Sequence, residues 1–166
     1  MYKVEFVKYH GSGNDFILID DREGVFPRDS VAALCDRNRG IGADGVILIQ
    51  CSTVAPFQIK IFNADGSEPA MCGNGLRCAV DFLHTLGLIG ESVQIETGSG
   101  ILKCRWAPGR IAVNLGAPKL LFHDLSLFVL GEQMSVDVVD TGVPHCLVFV
   151  PNVQAIALEP LGRALR

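Results

Sequence analysis

Apolar residues along this chain fall mostly into short runs separated by Gly, Pro, Asn and Asp. Residues 4–9, 16–20, 45–50, 57–63, 92–97, 100–106, 110–115, 134–140 and 146–150 are rich in β-branched and aromatic side chains and read as strands. The residues between them supply turn chemistry. Spacings of roughly ten residues, with few helical segments between, predict an antiparallel sheet or barrel rather than a doubly wound parallel sheet.

Two segments follow a helical period instead. Residues 29–37, just after Pro27, carry Val31, Leu34 and Cys35 at helical spacing, while residues 73–86 set Leu76, Ala79, Val80, Leu83 and Leu86 on one face and stop at Gly87. The second of these is apolar enough to sit inside a barrel. A third helix is predicted from residue 157 to Arg166 with no Gly or Asn stop signal, which reads as an incomplete domain. Gly116-Ala117-Pro118 breaks the strand pattern and predicts a boundary, with one domain over 1–115 and a shorter piece over 116–166. That second piece, about 50 residues, is near the size at which a single core is marginal, so it needs something more to be stable.

Composition narrows the functional classes. With 166 residues, 49% hydrophobic and 19% charged, the chain reads as an ordinary globular protein. A net charge of -4 without a basic cluster argues against nucleic acid and leaves a small molecule as the expected partner. The six cysteines lack the paired spacing of a zinc site and no secretory leader precedes them, so no metal, reduced thiols and a cytoplasmic location are expected. No apolar run approaches the ~18 residues of a membrane span.

The chemistry concentrates in residues 62–78. There a strand ends, the chain turns, and a helix opens at Cys72-Gly73-Asn74-Gly75. A lone cysteine in an apolar chain is more often a buried small hydrophobe. Cys72 differs in its setting: the unpaired amides of Gly73, Asn74 and Gly75 face its sulfur, with the positive end of the helix dipole behind them. Helix starts of this kind favour a thiolate and hold a substrate carboxylate. The glycines flanking Asn74 are expected to let those amides approach a carboxylate and to adopt left-handed conformations. Cys72 is therefore the expected reactive thiol of the six, and Cys78, further into the helix, the expected packing residue.

Four segments in order resemble the diaminopimelate epimerase family: residues 9–16 (Tyr-His-Gly-Ser-Gly-Asn-Asp-Phe), 35–45 (Cys-Asp-Arg-Asn-Arg-Gly-Ile-Gly-Ala-Asp-Gly), 63–78 around Cys72, and 142–146 (Gly-Val-Pro-His-Cys). The resemblance implies an α+β fold of two similar domains, each a β-barrel wrapped around a central helix, with the site in the cleft between them. It implies epimerisation of L,L-diaminopimelate to the meso isomer for lysine and cell-wall precursor synthesis. The implied mechanism uses two cysteines as acid and base, without pyridoxal phosphate, metal or other cofactor. Carried over by position, Cys72 is the first catalytic cysteine, Gly73 and Asn74 offer the carboxylate-binding amides, and Asn14 and Asn63 bind substrate. On the residues alone, Asn14 and Asn63 read as turn residues and 40–45 as scaffold.

Two departures qualify the resemblance. The family's second catalytic cysteine, in a later Cys-Gly-Thr-Gly type motif after a Glu-Arg pair, has no match here, and Cys104 and Cys146 are poor substitutes because no Gly-rich helix start follows them. The chain thus reads as a first domain plus an incomplete start of the second, inactive in isolation, with a homodimer or a missing C-terminal domain as the expected partner. Val143 stands where the family has Asn for the distal end of diaminopimelate, which costs a bound substrate a hydrogen bond worth ~0.5 to 1.5 kcal/mol. His145 keeps its place beside Pro144. Val143 favours a broad-specificity amino-acid racemase as the alternative, and the missing cysteine a non-catalytic remnant or assembly module.

Overall fold

The computed structural model describes residues 3–166. It divides into two compact units between Leu115 and Gly116. The first contains β1 (Val7–Gly11), β2 (Asn14–Asp20), α1 (Val31–Cys35), β3 (Gly45–Gln50), β4 (Phe57–Asn63), α2 (Gly73–Thr85), β5 (Ser92–Thr97), β6 (Gly100–Ala107) and β7 (Arg110–Asn114).

These seven strands form one sheet in sequence order. It curls around α2 until both of its edges, β1 and β7, touch that helix, while the ladder itself stays open between them. The result is an α+β half-barrel around a central helix. Leu76, Ala79, Val80 and Leu83 of α2 are all 0% exposed and pack on Phe16, Leu18, Ile47, Ile49, Ile61 and Ile95. Leu86, expected on the same face, is 42% exposed, because the helix has ended at Thr85 and the chain is turning through Leu86 toward Gly87.

The sheet is mixed, which corrects the antiparallel expectation. β2 runs parallel to β3, and β4 parallel to β5, each pair joined by a crossover that carries a helix. The physical mark of this is burial on both faces. Ile17, Ile19, Val46 and Leu48 point away from α2 into a second cluster with Phe26, Val31 and Cys35, so Phe16–Ile19 and Val46–Ile49 are continuous apolar runs, as sheets covered on both sides require. Backbones are close at the start of β3, where a Cβ on Gly45 would lie 2.3 Å from the Phe62 carbonyl oxygen.

The helix expected over 29–37 shrinks to a 3-10 turn, Arg28–Ser30, and the five residues of α1. Asp36 ends it: its backbone turns extended and its carboxylate accepts the amides of Asn38 and Arg39, a local alternative to further helix. The buried Asp21 is likewise satisfied, by the amides of Val25 and Phe26 and by the Gln50 side chain.

The second unit is an antiparallel meander, β8 (Lys119–Val129), β9 (Glu132–Asp140) and β10 (Pro144–Leu147), followed by α3 (Leu158–Leu165). β8 is absent from the expected strands. It is irregular, with register shifts between Leu120 and Leu125 and a positive φ of 55° at Asp124, and most of its side chains are exposed. Of this unit's apolar residues only Val129 and Val136 are buried.

Candidate active site

The start of β2, the start of β3 and the end of β4 lie together, since Phe16 and Asn63 are both partners of Gly45. The N-terminus of α2 opens at this same end. Cys72 is its N-cap, with extended backbone, and its carbonyl accepts the first helical bond from Leu76. Its half-buried sulfur accepts the Gly75 N–H at 3.5 Å and donates to Asn14 Oδ1 at 3.8 Å. The amides of Gly73 and Asn74, in the first turn, have no partner within the helix by geometry. Negative charge placed there meets two donors and the positive end of a 13-residue helix.

One of the two reasons expected for the glycines flanking Asn74 does not hold. Neither Gly73 nor Gly75 takes a left-handed conformation. A Cβ at Gly75 would meet Ile47 at 3.0 Å and Ile61 at 3.2 Å, so Gly75 lets the helix settle onto the sheet. A Cβ at Gly73 would meet nothing closer than 3.8 Å, so the first residue of α2 is not crowded on its side-chain face.

Two asparagine side chains complete the cluster. Asn74 Nδ2 donates to Asn14 Oδ1 at 3.5 Å, and Arg77 donates to Asn74 Oδ1. Asn14 Nδ2 donates in turn to Asp44 Oδ2 at 2.9 Å. Arg37 bridges Asp44 at 2.8 Å and Asp15 at 2.6 Å, and Lys8 reaches Asp15 at 2.7 Å. The Arg37 guanidinium, assisted by Lys8, holds the Asp15 carboxyl well below the usual carboxylate range against the opposing effect of desolvation.

The structure thus joins Asn14, Cys72, Gly73 and Asn74 in one cluster. Asn63 sits at the same end of the sheet, but its exposed side chain bonds to Ser67 Oγ at 2.9 Å. Val143 and His145 belong to the second unit. Val143 lies in the β9–β10 turn, 38% exposed, with its carbonyl accepting from the Thr141 amide, and the exposed His145 ring sits 3.1 Å from Thr141 Oγ1. Asp44, Arg37 and Arg77 were not among the expected site residues. The charged pair within the Gly-rich segment 35–45 was the available signal.

The cysteines separate by environment. Cys35, Cys78 and Cys104 are buried, and burial pushes all three thiols up, Cys78 and Cys104 to about 11. Cys51 and Cys146 are exposed, but neither stands at the start of a helix. Among the described residues no three His, Cys, Asp or Glu side chains gather as a metal site, and no helix is long and apolar enough to cross a membrane.

Residues 6–121 match the family model described as diaminopimelate epimerase. The diaminopimelate epimerase of Gloeothece citriformis is 42% identical over 181 residues, covering 96% of this chain and 64% of that protein. That of Synechocystis is 41% identical with the same coverage. Among solved structures, a PhzF-family phenazine biosynthesis protein of Bacillus anthracis superposes with a TM-score of 0.72 at 20% identity, over 93% of this chain and 58% of the other. A hydroxyproline epimerase from Agrobacterium vitis does so with a TM-score of 0.65 at 19% identity, over 93% and 54%. The last two show the fold alone. The first three findings establish that the chain belongs to the diaminopimelate epimerase family, and that it spans about 64% of the length of the curated relatives it matches.

Proposed function

We propose that this chain is the first catalytic part of a cofactor-independent epimerase that converts L,L-diaminopimelate to the meso isomer, with Cys72 as one of two acid/base groups. One observation carries the reading: Cys72 caps α2 with its sulfur on the Gly75 amide, beside the first-turn amides of Gly73 and Asn74, which helix geometry leaves without intrahelical partners. A substrate carboxylate on those amides brings its α-carbon within reach of the sulfur. When the Cys72 thiolate takes the α-proton, charge flows into the carboxylate, and the same fixed dipoles stabilise it. Inversion then needs a proton delivered to the opposite face. On the family pattern that acid would be the second cysteine of a later Gly-rich motif, which has no match among these 166 residues.

Residues 116–166 are on this reading the opening of a second, similar domain. Their sheet and α3 line a groove of about 960 Å³ with Leu127, Val136, Val138, Leu147, Ile156 and Leu161, an apolar surface that lacks a second layer. The relatives' greater length supports this assignment.

The test uses the full-length protein and L,L-diaminopimelate in heavy water. Meso product carrying one solvent deuterium at the inverted carbon is expected, and Cys72→Ala should slow its formation at least ~100-fold. Turnover unaffected by Cys72→Ala would overturn the assignment, and no turnover with substrate still bound would point to a binding module. A second reading, a broader amino-acid racemase, is favoured by Val143, whose side chain has no hydrogen-bonding group for a distal amino-carboxylate. Polar sites reject analogues lacking their partner far better than apolar ones do. Val143→Asn should then raise the preference for diaminopimelate over simple amino acids such as glutamate, and an unchanged ratio would remove Val143 from the specificity determinants.

A further inference from the structure

An asparagine side chain presents an oxygen at one end and an NH2 at the other, nearly alike in shape and opposite in hydrogen bonding. Which end faces a neighbour is settled by partners that can bond in only one sense. A carboxylate only accepts and a guanidinium only donates. Both kinds of partner flank the Cys72 sulfur. Asp44 Oδ2 takes the Asn14 NH2 at 2.9 Å, so Asn14 Oδ1 must point the other way, to Sγ at 3.8 Å and Asn74 Nδ2 at 3.5 Å. Arg77 occupies Asn74 Oδ1, so only the Asn74 NH2 is left to donate to Asn14.

We infer that Asp44 and Arg77 are positioning residues that fix the polarity of the Asn14 and Asn74 amides, so that an oxygen rather than an NH2 faces the Cys72 sulfur. Bonds run in one sense from Arg77 through Asn74 and Asn14 to Asp44. Asp44 is itself immobilised. Arg37 holds its second oxygen at 2.8 Å, the Asp15 amide donates to Oδ2 at 3.1 Å, and its own amide and carbonyl bond to Asp15 and Ala64.

An amide oxygen accepts from S–H and repels a thiolate, whereas the Gly75 amide on the other side draws toward a thiolate. The sulfur therefore sits between one partner for each protonation state. A group that must both take and give a proton needs both states within reach. Were Asn14 free to flip, two donors would face the sulfur and it would lose its role as acid. This consequence rests on the function proposed above, while the polarity of the relay does not.

Alkylation of the 166-residue chain by iodoacetamide at about pH 7.5 tests the relay without reference to turnover, because the rate reports the thiolate share. The exposed Cys51 and Cys146 serve as internal standards. Asp44→Val should raise the Cys72 rate relative to them roughly five- to tenfold, the scale of exchanging one hydrogen bond for another at the sulfur. The same substitution in an Asn14→Ala background should leave the Cys72 rate unchanged, since no amide remains to orient. An unchanged rate in the first case, or an equal rise in both backgrounds as a simple loss of negative charge would give, overturns the inference. Buried Cys78 reports the fold. If it becomes labelled in Asp44→Val, the smaller Asp44→Ala takes its place in the same two backgrounds, and there a faster Cys72 confined to the Asn14-containing protein supports the inference and an unchanged one overturns it. Absence of deuterium exchange by the full-length protein would sink the proposed function and leave these ratios untouched.

Discussion

At the scale of single residues, what separates Cys72 from the other five cysteines is the set of groups that touch its sulfur. Brief alkylation of the folded chain near neutral pH should modify Cys51, Cys72 and Cys146 and spare Cys35, Cys78 and Cys104, as peptide mapping will show. Labelling of Cys78 as fast as Cys72 would contradict the placement of α2. The buried thiols also set an alkaline limit. Burial pushes the Cys78 and Cys104 thiols above the ordinary cysteine range, up to about 11. Their contribution to stability is therefore fully present below about pH 9 and is lost as pH rises toward 11. Urea midpoints should be level up to about pH 8.5 and fall at pH 10.5, and Cys78→Ala with Cys104→Ala should flatten that fall. The position of Cys72 as the cap of α2 was legible because a helix start is a local feature of sequence. Asp44 and Arg37 were not, since their partners Asn14 and Asp15 are brought to them by strand pairing across tens of residues, whereas Arg77 pairs locally with Asn74 one turn back on the same helix.

At the scale of elements, α2 organises the first unit, and its period foretold the buried face correctly except at its last turn. Leu83→Ala should destabilise this unit by about 2–5 kcal/mol, as large-to-small changes in a filled core do. Leu86→Ala should change it by less than about 0.5 kcal/mol, as at exposed sites generally. Equal effects, measured by denaturant titration, would mean the helix is rotated from the orientation described. The ion-paired segment linking β1, β2 and the loop before β3 responds to acid. Because the Asp15 carboxyl is held well below its ordinary value by Arg37 and then Lys8, the stability it contributes is present above about pH 4 and disappears as pH falls further. Asp15→Asn should remove that acid-dependent part. Strand boundaries were read well wherever residues are buried. The parallel pairing of β2 with β3 and β4 with β5 escaped because spacing between runs does not report strand direction, although the unbroken runs at 16–19 and 46–49 carried the sign of double-sided burial. β8 escaped because its bulges and exposed side chains erase the alternation that marks a strand.

At the scale of the whole molecule, the two units differ in how much apolar surface each one covers. The first has two filled clusters, one on each face of its sheet. The second buries only Val129 and Val136 among its apolar residues and leaves a wide groove open. In the 166-residue chain, amides of β3 and α2 should therefore exchange with solvent most slowly, at the free energy of global unfolding, and those of β8 to β10 orders of magnitude faster. Equal protection in both units would show that residues 116–166 hold a complete core of their own. The division at Gly116 was visible in the sequence as a Gly-Ala-Pro interruption, and the family resemblance was visible in four ordered segments. The substrate itself is where sequence and structure ask for chemistry. An aziridine analogue of diaminopimelate, an electrophile shaped like the substrate, offers its ring carbon only to a sulfur that lies against the bound α-carbon. On the function proposed above, it should place its adduct on Cys72. It should spare Cys51 and Cys146 even though iodoacetamide modifies both. An adduct spread over Cys51 and Cys146 at rates matching Cys72 would contradict the claim that the start of α2 is where the α-proton is handled.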